Sequence, residues 1–294
     1  MNRFLIIILF LVNLYSFEIK NYRAINGCII DNSSIKVAIR EFSYKDKNYY
    51  LAINPNTLNT KFILASKLYK CPQEINTTRY YKLLNLSLSS KHPLQNDGIT
   101  SATKGVYLTI DLCPSSKKGF EDELFKTVIK NFKNPVPITI FITKRWIDSH
   151  KLEFNWLKLW QKEGKLDITW GNHTANHIYH PKEPLDKNFV LSKEEHLKDD
   201  ILSLEKSLIE NGLTPSIFFR FPGLVSNKDA IENVANLGLI TIGSNAWLAK
   251  GQRVKDGSII LVHGNKNEPK GVKELLNLIK DNKIKELNSL KELD

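Results

Sequence analysis

His173 and His177 stand four residues apart in the run Gly171-Asn172-His173-Thr174-Ala175-Asn176-His177. On one helical turn, or a helix-like loop, that spacing aims two imidazoles at one point, as a divalent metal requires. Alone the pair is weak, because most such pairs are ordinary surface or loop histidines. Asp111 closes an apolar run, so its carboxylate is a metal ligand, a general base or, more blandly, a helix N-cap. Arg220 follows another apolar run, and its fixed charge suits a carboxylate on the same face, lowering that group's pKa and holding its orientation. His263, after Ile260-Leu261-Val262, is the natural proton donor, with a hydrogen-bonded core histidine as the plain alternative. Trp247 offers an indole on which a sugar face stacks, or else simple core packing. His150, His180 and His196 have no such geometry and read as solvated.

These residues need elements to bring them together. From Gly105 onward short apolar runs alternate with helical periodicity. Strands are predicted at 106–110, 137–142, 167–170, 216–219, 239–242 and 259–262, with helices over 153–163 and 272–281. Another helix carries Phe120, Leu124, Val128 and Phe132 on one face. Ser192 and Glu195 have the spacing of a capping box and open a helix with Leu197, Ile201, Leu204 and Leu208 on one face, closed by Gly212. Asp111, His173, Arg220, Trp247 and His263 all follow the C-terminal ends of predicted strands. In a βα-repeating barrel those ends converge on one face, where active sites are built.

The chain has 294 residues, 42% of them apolar, which suits one large domain or a medium one with a small appendage. Its net charge of +11 is overwhelmingly dispersed lysine, with no basic stripe interleaved with aromatics, so a nucleic-acid partner is not expected. A basic surface still favours anionic envelope polymers or lipid head groups. Residues 1–16 read as a cleaved signal peptide: Arg3 precedes the apolar run 4–12, which is too short to span a bilayer comfortably. An uncleaved anchor is the alternative; cleavage leaves a periplasmic or secreted chain without stable membrane insertion. Residues 17–100 read as a small β-rich accessory region, with alternation at 34–42 and 49–53 and an Asn-Pro-Asn turn at 54–56. In an oxidising compartment Cys28 and Cys71 either bridge each other or stay as buried thiols, and Cys113 is left over.

Taken in order, the motifs over about residues 105–294 resemble the polysaccharide deacetylase family of carbohydrate esterases, the NodB-homology domain. Thr109-Ile110-Asp111-Leu112-Cys113-Pro114 stands where the family has TFDDGP, and Ile138-Thr139-Ile140-Phe141-Ile142 matches its ATFFV strand. The segment 171–177 fits GNHTxxH, Phe219-Arg220-Phe221-Pro222-Gly223 fits FRxPxG, and 257–263 fits GSIILLH. The resemblance implies an α/β fold, a distorted and incomplete (β/α) barrel with a shallow open groove. It implies Asp111 as catalytic base, His173 and His177 as metal ligands, Arg220 as the residue orienting the base and His263 as general acid. It also implies Trp247 and Pro222 as substrate contacts. The implied reaction removes N-acetyl groups from an amino-sugar polymer and releases acetate, with a divalent ion, zinc by default, activating water and stabilising the oxyanion.

Three departures from the pattern bear on that implication. Leu112 replaces the family's second Asp, the third protein ligand. The metal is then held by two histidines and waters, or by Asp111 itself, or by Cys113 as a substitute. Asn245-Ala246-Trp247 replaces DxW, and neutral Asn245 cannot raise the basicity of His263. Only residues 248–258 separate Trp247 from the strand leading to His263, so one groove wall is expected to be short. A catalytically silent carbohydrate-binding protein on the same fold, and an amidohydrolase acting on another amide such as a lipid-linked sugar, are the alternatives.

Overall fold

The computed structural model describes residues 18–115 and 119–294; the expected leader, 1–16, lies outside them. Alternating side chains in the N-terminal region fold as an antiparallel meander of β1 (Lys20–Asp31), β2 (Ser34–Tyr44), β3 (Lys47–Ile53) and β4 (Thr60–Leu64). Asn54 Oδ1 accepts the N–H groups of Asn56 (3.1 Å) and Thr57 (3.3 Å), which makes the Asn-Pro-Asn turn after β3. Cys28 and Cys71 form a disulfide, tying β1 to the segment before helix α1 (Arg79–Leu88).

The second half is a seven-stranded parallel sheet curled into an incomplete barrel. Its strands are β5 (Val106–Leu112), β6 (Val136–Ile142), β7 (Leu166–Asn172), β8 (Phe218–Phe219), β9 (Ile240–Thr241), β10 (Ala246–Trp247) and β11 (Ser258–His263). They lie in the order β10-β11-β5-β6-β7-β8-β9. The helices between them are α2 (Asp122–Asn131), α3 (Lys144–Ser149), α4 (Lys151–Lys162), α5 (Leu197–Glu210) and α6 (Lys228–Asn236), with α7 (Pro269–Lys280) after β11.

Parallel strands covered on both faces must be apolar throughout, and β5 shows what each face meets. Leu108, Ile110 and Leu112 share a core with Leu124, Phe125 and Val128 of α2 and Leu275 of α7. Tyr107, on the other face, shares a core with Ile39, Leu51 and Tyr80 of the N-terminal region. The two sheets are therefore packed on a common core. Thr109 and Asp111 fall on the Tyr107 face by the strand's period of two and run toward the barrel mouth.

A buried ion pair ties the halves together. Arg40 of β2 donates to both carboxylate oxygens of Glu205 on α5, Nε to Oε2 at 2.6 Å and Nη2 to Oε1 at 2.9 Å. Its Nη1 donates to the carbonyls of Ile39 and Leu237, and the Tyr22 hydroxyl donates to Glu205 Oε2 at 2.8 Å.

The expected capping box does not form. Short 3-10 turns at Phe189–Ser192 and Glu194–His196 intervene, the Ser192 hydroxyl donates to Phe189 O, and α5 begins only after His196. Among the described residues no helix is long and apolar enough to cross a membrane.

Candidate active site

The parallel register delivers the chemistry to one end of the sheet. Asp111 pairs with His263 across β5 and β11, and Asn172, the residue before His173, pairs with Phe219, the residue before Arg220. Arg220 is fully buried and every arm is occupied. Nη1 donates to Asp111 Oδ1 (2.7 Å) and Thr109 Oγ1 (2.8 Å), Nη2 to Gly243 O (2.9 Å) and Nε to Ile242 O (3.3 Å). The guanidinium lies 4.3 Å from the centroid of the Phe141 ring. That ring in turn needs Gly171 beside it, since a Cβ there would sit 2.6 Å from Phe141 Cδ1. Asp111 is thus a clamped carboxylate at a strand end. It caps no helix, because the N-cap of α2 is Glu121.

The histidine pair is arranged by a loop rather than a helical turn. Thr174 (φ 67°) and His177 (φ 47°) are both left-handed, and the His177 N–H donates to Thr174 Oγ1 at 3.1 Å. The two rings are 5.0 Å apart. His173 Nδ1 lies 2.8 Å from Arg220 O, and a carbonyl can only accept, so Nδ1 carries a proton and Nε2 is the nitrogen that an ion would take. Nε2 faces Cys113 Sγ at 3.4 Å and Asp111 Oδ2 at 3.7 Å, and against the opposing effect of burial these two groups raise the His173 pKa. Cys113 Sγ, one ring nitrogen of His173 and one of His177 all lie within 4.8 Å of one another. This donor set, soft sulfur and imidazole with two members buried, fits a divalent transition ion such as zinc.

His263 has a carboxylate partner after all. Glu268 Oε2 lies 2.9 Å from His263 Nδ1, near enough for an ion pair though poorly aligned for a hydrogen bond, and it accepts the Trp247 indole N–H at 2.8 Å. Asn245 is turned elsewhere, its Oδ1 accepting the N–H of Ile259 at 2.9 Å. Glu268 and Asn265 are the residues that sequence reasoning missed. Asn265, fully buried, donates from Nδ2 to the Cys113 carbonyl at 2.7 Å and fixes the loop carrying the thiol.

The charges support one another. Burial opposes ionisation of Asp111, but the Arg220 guanidinium together with the His173 and His263 imidazoles outweighs it and holds the carboxyl below its ordinary range. Burial likewise opposes the Cys113 thiolate, and the imidazoles of His177 and His173 override it, holding the thiol well below its usual value. For His263, burial is outweighed by its contacts with Cys113 and Glu268, which push the imidazole well above its normal pKa.

Asp111, Cys113, His177, Trp247, His263 and Glu268 open on one groove of 680 Å³. Trp247 is half-buried on its wall, with the Lys250 ammonium 3.7 Å from the ring centroid. Pro222 does not reach this groove: it is buried in the turn Pro222–Leu224, and Gly223 and Leu224 line the groove in its place. Of the histidines expected to be solvated, His180 and His196 are exposed, whereas His150 is partly covered and stacks on Trp146.

Residues 98–242 match the model of the family described as polysaccharide deacetylase. Over this segment the chain is similar to the polysaccharide deacetylase family. Residues 20–88 match a separate model, the RP012 protein N-terminal domain. Among solved structures, the chain resembles Bacillus subtilis PdaA, a family 4 carbohydrate esterase, at 17% identity over 83% of this chain and 94% of that one, with a TM-score of 0.50. A Bacillus anthracis family 4 carbohydrate esterase matches at 21% identity over 71% and 89% of the two chains, TM-score 0.49. The chitin deacetylase of Colletotrichum lindemuthianum matches at 18% identity over 66% and 89%, TM-score 0.47. The deacetylase domain has the curled parallel sheet of that enzyme class, and the family match covers Asp111, His173, His177 and Arg220. It ends before Trp247 and His263.

Proposed function

We propose that this chain is a metal-dependent N-deacetylase that releases acetate from an N-acetylated amino-sugar polymer of the cell envelope or extracellular space. One observation carries the reading: an arginine-clamped carboxylate, His177 and a third, carboxylate-paired imidazole line a single groove at the strand ends, with the buried His173 ring next to His177. The family description supplies the substrate class.

In this reading His173 and His177 hold the ion. When bound, the ion supplies Lewis acidity, polarising the acetyl carbonyl and acidifying water. Asp111 takes the proton from the water whose oxygen attacks the carbonyl carbon. Arg220 keeps Asp111 ionised and aimed, as its four donated hydrogen bonds allow little other motion. His263 gives a proton to the departing nitrogen as the C–N bond breaks, leaving acetate and a free amine, and Glu268 holds it in the imidazolium form until then. Trp247 offers its indole to a sugar ring along the groove. Export by a leader at 1–16 belongs to the same proposal, since such polymers lie outside the cytoplasm.

The test is acetate release from acetylated chitooligosaccharides and from peptidoglycan by the purified chain. We expect turnover that a chelator abolishes and an added divalent ion restores. Glycan binding without turnover at every metal concentration would instead support the silent carbohydrate-binding alternative, which the apolar Leu112 favours.

A further inference from the structure

We propose that Cys113 is the third protein ligand of the ion, so that the chain builds a two-histidine, one-thiolate centre. The inference rests on the proposed function only for the presence of a divalent ion.

Its first support is the orientation of position 112. Side chains on β5 alternate, and Leu112 falls on the helix side, fully buried in the core that holds Ile110 and Phe125. Leu112 packs so closely there that a Cβ on Gly264 would meet its Cδ2 at 2.9 Å. An anionic ligand is therefore neither present at 112 nor aimed at the site. Cys113, the next residue, is turned to the histidines: it is buried, its Sγ lies 3.4 Å from His173 Nε2, and it is among the residues that line the groove. Tetrahedral zinc with Zn–S of about 2.3 Å and Zn–N of about 2.0–2.1 Å requires S and N about 3.6 Å apart, so the sulfur already sits near its place.

The surroundings hold that geometry. Asn265 anchors the Cys113 carbonyl, and Arg220 O fixes the His173 tautomer, leaving Nε2 free to bind. Cys28 and Cys71 are bonded to each other, so Cys113 has no disulfide partner within the chain. A thiolate carries the same single negative charge as a carboxylate, so two neutral imidazoles and one anion still face the cation. The thiol loses its proton to solvent as the sulfur–metal bond forms. The exchange of oxygen for sulfur makes the site softer and inclines it to zinc or cobalt in tetrahedral geometry over harder ions. It also releases Asp111 from service as a ligand, leaving it free to act as base.

The experiment strips the full chain with a chelator and titrates it with Co(II), a spectroscopic probe that needs no turnover. We expect one cobalt per chain, an intense near-ultraviolet sulfur-to-cobalt charge-transfer band and the visible bands of a tetrahedral ion. Cys113→Ser should lose the charge-transfer band and weaken zinc binding by more than the roughly 10–100-fold that loss of an outer partner costs. Cys113→Asp should bind without the band. If wild-type cobalt protein lacks the band, or Cys113→Ser binds zinc as tightly as wild type, the inference is overturned without recourse to any variant's activity. Acetate release measured on the same samples separates the two ideas. Turnover without the band sinks the ligand and spares the deacetylase; the band without turnover does the reverse.

Discussion

Asp111→Asn should lower kcat for acetate release by roughly 10³-fold, about 4 kcal/mol of transition-state stabilisation, with KM changed far less. Asparagine keeps the shape of the side chain and an oxygen that can accept from Arg220 Nη1, now 2.7 Å from Asp111 Oδ1. What it removes is the ability to take a proton from water. Zinc content should stay near one per chain, because the proposed ligands His173, His177 and Cys113 are untouched. Steady-state kinetics with metal analysis of the same sample checks both halves. Turnover within tenfold of wild type would mean that another group is the base.

Glu205→Gln should cost about 3–5 kcal/mol of folding stability while leaving the groove chemistry alone. The Arg40–Glu205 pair is shielded from water, with side-chain exposures of 0% and 1%, and Tyr22 also depends on the carboxylate. Removing the negative charge strands a guanidinium inside the molecule, where water cannot solvate it. Removing both partners leaves no such orphan, so Arg40→Met with Glu205→Leu should lose much less than the single change. Urea denaturation followed by circular dichroism compares the two variants with the wild type. A single-substitution loss under about 1 kcal/mol would show that the pair is not the tie between the two sheets.

Much of this could be read in the sequence because it is local or periodic. The short apolar runs at 106–110 and 137–142 suit strands covered on both faces, and they lie within β5 and β6, whose apolar residues are nearly all buried. Polar residues placed directly after such runs must meet at one end of a parallel sheet. This is why Asp111, His173, Arg220 and His263 were identifiable together, and why Arg220 could be expected to hold Asp111. The misses share a physical reason: each depends on the path of a loop or on a partner far away in the chain. Ser192 and Glu195 have capping-box spacing, but the box needs Ser192 at the helix boundary, and two 3-10 turns displace it. The spacing of His173 and His177 points to their convergence on a helical turn or helix-like loop, but not to the left-handed Thr174 and His177 that bring the rings together. Glu268 lies in a polar loop with no periodicity, and only the neutral Asn245 hinted that His263 would need a carboxylate from elsewhere. Pro222 was assigned to the groove by its motif, yet its ring is buried under the turn that presents Gly223, whose φ of 63° brings the chain close against the Phe189 ring. Arg40 and Glu205 are 165 residues apart, so their pairing is a property of the fold alone.

Anomalous diffraction at the zinc edge, from crystals of the full chain grown with zinc, tests the central claim most directly. The account predicts one strong peak about 2.0–2.3 Å from His173 Nε2, a ring nitrogen of His177 and Cys113 Sγ, with Asp111 alongside and free of the ion. A peak elsewhere, or a zinc-saturated crystal with no peak between these side chains, would contradict it.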